Sequence, residues 1–301
     1  MAKTKQGIVL ALSAYSIWGI FPIYWKLLHR VPALQLLCHR IVWSFVVMII
    51  FIMFTGQIRK FAKTALSWKV VGIYAVASVL IGVNWLLYVW AVNAGHIIET
   101  SLGYFINPLL SVLLGVIFLR ERLRIGQWIP IIITAGAVLF LAISHGQLPW
   151  IALSLAFSFA TYGLIKKIAP LGALYGLLLE TIILLIPATY FLFSCEQAGN
   201  GAFMHSSLTI DLLLIGAGIA TTIPLLMFAS AAQRIPLSLI GIMQYLSPTL
   251  GLLIGYFIYN EPFDNAQIIG YSLVWLSLLI FASESYLNYR KHRSPSAITK
   301  P

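Results

Sequence analysis

Lys26, His39, Arg40, Glu99 and Glu180 are ionisable side chains inside runs that are otherwise almost wholly apolar, and Lys167 follows just after another such run. An ion is costly to bury in hydrocarbon, so such residues mark substrate or ion pathways by default and call for a partner. The stretch LCHRIVWS, residues 37–44, sets an imidazole beside a guanidinium. The planar fork of Arg40 matches a carboxylate, either Glu99 or a substrate acid. His39 and Glu180 are the groups able to exchange a proton, so proton antiport and facilitated diffusion are both open. Around these charges a binding cavity needs apolar walls with a few directed polar groups. Trp18, Tyr24, Asn84, Trp85, Tyr88, Tyr104 and Asn107 are candidates, joined by Tyr162, Gln244 and Tyr245 later in the chain.

Plainer readings stand beside these. Arg40 and Lys26 lie near the ends of their runs, where long side chains snorkel to the headgroups. Many Trp and Tyr residues simply sit at the membrane interface, and Trp68, Trp128 and Trp150 fit that role. Pro22, Pro108, Pro224 and Pro248 fall within runs, where they kink a helix first and hinge it second.

The elements that must hold these residues follow from composition. Of 301 residues, 60% are hydrophobic and 9% charged, against about 25% charged in soluble domains. Runs of about 20 apolar residues cross a bilayer as a helix. Ten can be marked: 7–28, 34–54, 70–92, 97–119, 127–144, 149–165, 174–193, 209–231, 237–259 and 266–284. They are too long and too evenly apolar for barrel strands. The net charge of +11 does not point to nucleic acid, because sixteen of the nineteen lysines and arginines fall in alternate connections. That is the positive-inside pattern, with both termini cytoplasmic. The basic end YRKHRSPSAITKP then reads as a topology anchor on anionic lipid. Cys38 and Cys195 read as two buried thiols and not as a bridge.

Repeat analysis gives the domain organisation. A shift of 140 places Pro108 on Pro248, Leu110 on Leu250, Leu113 on Leu253, Gly115 on Gly255, Glu121 on Glu261 and Gln127 on Gln267. A shift of 141 places Lys26 on Lys167 and His39 on Glu180. The expected fold is an all-α integral membrane protein of ten transmembrane helices. It forms two five-helix repeats, residues 1–145 and 146–301 with the basic tail. An odd number of spans per repeat inverts one against the other, the architecture of alternating-access carriers. Two polar clusters are expected: Lys26, His39, Arg40 and Glu99 outside, Lys167 and Glu180 inside. Ser111-x-x-x-Gly115 and Gly251-x-x-x-Gly255 read as internal packing pairs. Glu121 and Glu261 read as caps of the helix that follows each or as local pairing partners.

GIVLALSAYSIWGIFPIYWKLL, LLCHRIVWS and NWLLYVWAVNAGHIIETSLGYFINPLL together resemble the RarD-type members of the EamA branch of the drug/metabolite transporter superfamily. The likeness runs from about residue 5 to 285 and is most specific at His39-Arg40 and SLGYFINPL. It implies a ten-helix permease of the bacterial inner membrane with inverted repeats, related to exporters of amino acids and often associated by name with chloramphenicol sensitivity. Its substrate is a small molecule and its surroundings are lipid, with protons as a candidate coupling ion. Monomer and homodimer are both open. No cofactor is expected: there is no P-loop or GxGxxG to cradle a nucleotide. An embedded enzyme is disfavoured by only eight acidic residues and no HExxH or GxSxG. A channel or receptor is the other alternative.

Overall fold

Most of the long helices are apolar all the way round, and the folded chain exposes many large apolar side chains while burying several polar ones within an apolar core. Phe54, Trp68, Phe118 and Ile125 are exposed, whereas Gln35, Ser78, Asn107, Lys166 and Glu180 are buried. A water-soluble domain shows the reverse; this distribution suits a lipid exterior, where backbone polar groups must be satisfied within helices.

The computed structural model describes residues 2–94, 97–144 and 150–259, then 265, 268–270, 272, 273, 275–277, 279–281, 283 and 284. Its helices are α1 (Ala2–Leu27), α2 (Ala33–Phe54), α3 (Ile58–Ala65), α4 (Trp68–Asn93), α5 (Ile97–Leu119), α6 (Ile125–Ser144), α7 (Trp150–Ile168), α8 (Ala173–Gln197), α9 (Leu208–Ala232), α10 (Leu237–Met243) and α11 (Leu246–Tyr259). The described part of the chain is all-α. Seven runs are long and apolar enough to cross a membrane: α1, α2, α4, α7, α8, α9 and the α10–α11 run. Shorter apolar helices cover Gly103–Leu119, Ile125–Phe140 and Ile268–Phe281.

Packing interleaves the early and late helices. α2 lies against α8 and α9, α4 against α7 and α8, α1 against α9 and α11, and α5 against α7 and α10. Small residues allow these approaches. A Cβ at Gly218 would lie 2.4 Å from the Trp43 backbone, so α9 can meet α2 only with glycine there. α2 and α8 end alike, each in a left-handed glycine. After α2, Gly56 donates to Met53 and Gln57 to Ile52; after α8, Gly199 donates to Glu196 and Asn200 to Cys195, all at 3.0 Å. These pairs satisfy carbonyls that the last helical turn leaves open.

Four features depart from the sequence reading. First, α3 was not expected; its Phe61 packs on Tyr175 at 5.7 Å while Arg59, Lys60 and Lys63 stay exposed. Second, the ninth apolar run is two helices joined at Gln244–Tyr245. Pro248 accounts for the break, since its ring clashes with the carbonyl four residues earlier, that of Gln244. Pro22, Pro108 and Pro224 are instead contained within α1, α5 and α9. Third, Glu121 does not cap the helix after it. Its carboxylate accepts Leu237 N at 2.7 Å, Ser238 N at 2.9 Å and Ser238 Oγ at 2.6 Å, capping α10 across the molecule. Fourth, the two small-residue pairs differ. A Cβ at Gly115 would lie 2.8 Å from Glu121 Oε2, whereas one at Gly251 meets nothing within 4 Å among the described residues. Glu261 and the basic tail lie outside the described residues. Cys38 and Cys195 are free thiols, the first buried and the second half-buried.

Candidate functional site

Two charged clusters lie on opposite sides of one pocket. The first is built on α2, which starts after the extended Pro32 (φ −53°, ψ 130°) and carries Arg40 two turns in. Arg40 Nε donates to Thr221 Oγ1 of α9 at 3.0 Å. Its guanidinium faces the Trp25 ring of α1 at 4.7 Å and the Trp85 ring of α4 at 5.0 Å. Tyr88, one turn beyond Trp85, meets Tyr104 of α5 with ring centroids 5.9 Å apart. These two phenols lie within electrostatic range of Arg40 and are 38% and 43% exposed.

The second cluster is closed. Tyr162 and Lys166 share one face of α7, four residues apart. Lys166 Nζ lies 2.8 Å from Glu180 Oε1 of α8, and Tyr162 OH donates to Glu180 Oε2 at 3.0 Å. The two charged side chains are 1% and 2% exposed. Ser78 of α4 donates to the Glu180 carbonyl at 3.3 Å, and the Tyr74 ring lies 5.3 Å from the Lys166 ammonium. A buried pair of this kind needs its remaining hydrogen-bonding capacity met, because desolvating two ions offsets much of their attraction. Tyr162 supplies part of that.

The pocket between them is narrow, with room for about one water molecule. Its lining includes Trp85 and Thr221, which meet Arg40, and Tyr162 and Glu180 of the second cluster, with Ser44 and Thr181. Its lining is mainly apolar with few polar groups.

The remaining candidates from the sequence are spread more widely. Lys26 lies over the Tyr259 ring at 4.2 Å, away from Arg40. His39, next to Arg40 but about 100° round the helix, is buried against Phe203 at 5.4 Å. The structure therefore does not gather Lys26, His39 and Arg40 into one cluster, and the Glu99 side chain lies outside the described residues. Lys167 donates to the Ile235 carbonyl, so the lysine on Glu180 is its neighbour Lys166. Asn84 ties α4 to α7 through Leu155 O at 2.8 Å and Ser158 Oγ at 2.9 Å. Trp18 packs among Tyr15, Phe159 and Phe228. Tyr24 donates to Leu213 O, Tyr245 donates to Phe105 O at 3.1 Å, and Asn107 Oδ1 accepts from Ser111 at 3.4 Å. Gln244 is buried at the α10–α11 joint.

Sequence reasoning missed Trp25, Lys166 and Thr221. For Lys166 a signal existed, its four-residue spacing from Tyr162. Thr221 had only its place inside an apolar run, and Trp25 had none.

A multi-helix apolar body around a mostly apolar pocket bounded by charges is the anatomy of a membrane transporter. The EamA-like transporter family model matches the chain twice, over residues 5–143 and 149–283. The chain is 44% identical to Protein RarD of Salmonella typhi over 96% of this chain and 98% of the relative. Identity is 43% to Protein RarD of Escherichia coli (strain K12), over 96% and 98%. It is 45% to the uncharacterized transporter YojE of Bacillus subtilis (strain 168), over 93% and 94%. A solved crystal structure of a protein matches 93% of this chain and 98% of its own with a TM-score of 0.68 at 16% identity, a likeness of fold alone. The chain belongs to the EamA-like transporter family, as a RarD-type permease of the drug/metabolite transporter class. It is a multi-pass membrane protein.

Proposed function

We propose that the chain is an alternating-access carrier of the bacterial cytoplasmic membrane that exports small amphipathic metabolites such as amino acids. Ten spans form two inverted repeats, residues 1–145 and 146–301. The double family match and the like endings of α2 and α8 support that division. Positive-inside charge puts both termini in the cytoplasm, with Arg40 toward the outside and Lys166–Glu180 toward the inside. The observation that carries the reading is the pocket between these layers, bounded on its inner side by an ion pair within 2% of full burial. A carrier needs a chamber between its charged layers, open to one side at a time. Changes in chloramphenicol sensitivity, in this reading, are a consequence of that efflux.

Counterflow in proteoliposomes with a metabolite panel tests it. A preloaded substrate drives uptake of its labelled form, and the response to an imposed pH gradient separates proton antiport from facilitated diffusion. Absence of counterflow for every member under either condition overturns the carrier reading.

A further inference from the structure

One charged layer is neutralised inside the protein, and the other has no counter-ion among the described residues. The charge of Glu180 is matched by Lys166, with Tyr162 on its other oxygen, so it offers no net charge to a ligand's ammonium group. Arg40 has a neutral hydroxyl at Nε and two indole faces. Indole faces attract a cation but supply no counter-charge. Arg40 takes part in none of the ion pairs among the described residues. Its Nη edge, the part of the fork that matches two carboxylate oxygens, has no hydrogen-bond partner among those residues. A half-buried charge without a counter-ion is costly, and a ligand anion meets that need. Beside it stand Trp25, Trp85 and the Tyr88–Tyr104 pair, flat apolar surfaces suited to a planar body.

We propose that Arg40 is the carboxylate-recognition point of the transported molecule, and that the carrier selects organic monoanions with a planar apolar body over their neutral and cationic analogues. This rests on the carrier reading above and adds a charge class to it: the carboxylate is required, and an α-ammonium group contributes nothing.

The test is binding of tritiated 3-phenylpropionate to the full-length protein in lipid nanodiscs, with 3-phenylpropionamide, 3-phenylpropylamine and phenylalanine as competitors. The carboxylate is expected to bind at least about ten-fold more tightly than the amide of the same shape. Phenylalanine should do no better than 3-phenylpropionate. Arg40→Gln should bring carboxylate and amide to within about two-fold, and Arg40→Lys should keep part of the preference as a point charge without the fork. Equal affinity for carboxylate and amide in the unaltered protein overturns the proposal, as does tighter binding of the amine or no binding of any probe at millimolar concentration. These comparisons need no variant to fold. Counterflow without anion preference would sink this inference and leave the carrier standing; anion binding through Arg40 without counterflow would do the opposite.

Discussion

Arg40 and Lys166 are both cations within apolar helices, and the protein surrounds them differently. Lys166 is fully withdrawn and meets a carboxylate and two tyrosine rings. Arg40 is half-buried and meets two indoles and a threonine. A lysine ammonium is a compact, strongly hydrated charge that demands a close counter-ion when dried. A guanidinium is more weakly hydrated and stacks on aromatic faces, so it can sit partly dry with its donor edge free. The first arrangement is self-sufficient. The second has no counter-ion among the described residues.

That contrast can be broken most readily at Glu180. Glu180→Leu strands a buried ammonium and should cost about 3–5 kcal/mol of stability, read from thermal unfolding in detergent. Adding Lys166→Met should recover most of the loss; if the double variant is no better than the single, the pair is not the source. Next comes Arg40→Gln in the counterflow assay, with a drop of about ten- to hundred-fold. Unfolding temperatures should move far less than for Glu180→Leu, and a comparable fall would mean that Arg40 is structural. Glu121→Ala examines an acid that meets backbone donors instead of a cation, and should cost about 1–2 kcal/mol. A neutral result would show the α10 cap to be dispensable. Lys167→Met closes the series. It loses a hydrogen bond to a carbonyl and no ion pair, about 0.5–1.5 kcal/mol, and a loss matching that of Glu180→Leu would erase the distinction between neighbouring lysines.

Long-range geometry is what the sequence could not supply. The apolar runs were legible because a bilayer demands length and uniformity; nine of the ten overlap helices described above, one of them as two helices, and seven are long and apolar enough to cross a membrane. Helix α3 escaped because eight residues with three basic side chains look like a loop. The joint at Gln244–Tyr245 was hidden because Pro248 and Pro108 occupy matching places in the repeat alignment, yet only one run breaks. Lys167 was favoured over Lys166 because alignment placed it on Lys26, whereas the face of α7 decides the matter. Glu121 looked like a local cap since its true partners lie more than a hundred positions onward. Arg40 was singled out from its place in an apolar run, but its indole neighbours come from α1 and α4, which only packing brings together.

The joint at Gln244–Tyr245 has a mechanical consequence. α10 is pinned to α5 by the Glu121 carboxylate and by the approach of Gly241 to the Pro108 carbonyl. α11 is set on α1, where a Cβ at Gly19 would lie 2.6 Å from Leu250. A continuous rod clamped to both neighbours would have to bend whenever they slid past one another. Two stubs with a swivel between them let each follow its own neighbour, so the strain of such a slide falls on two residues instead of on a whole helix.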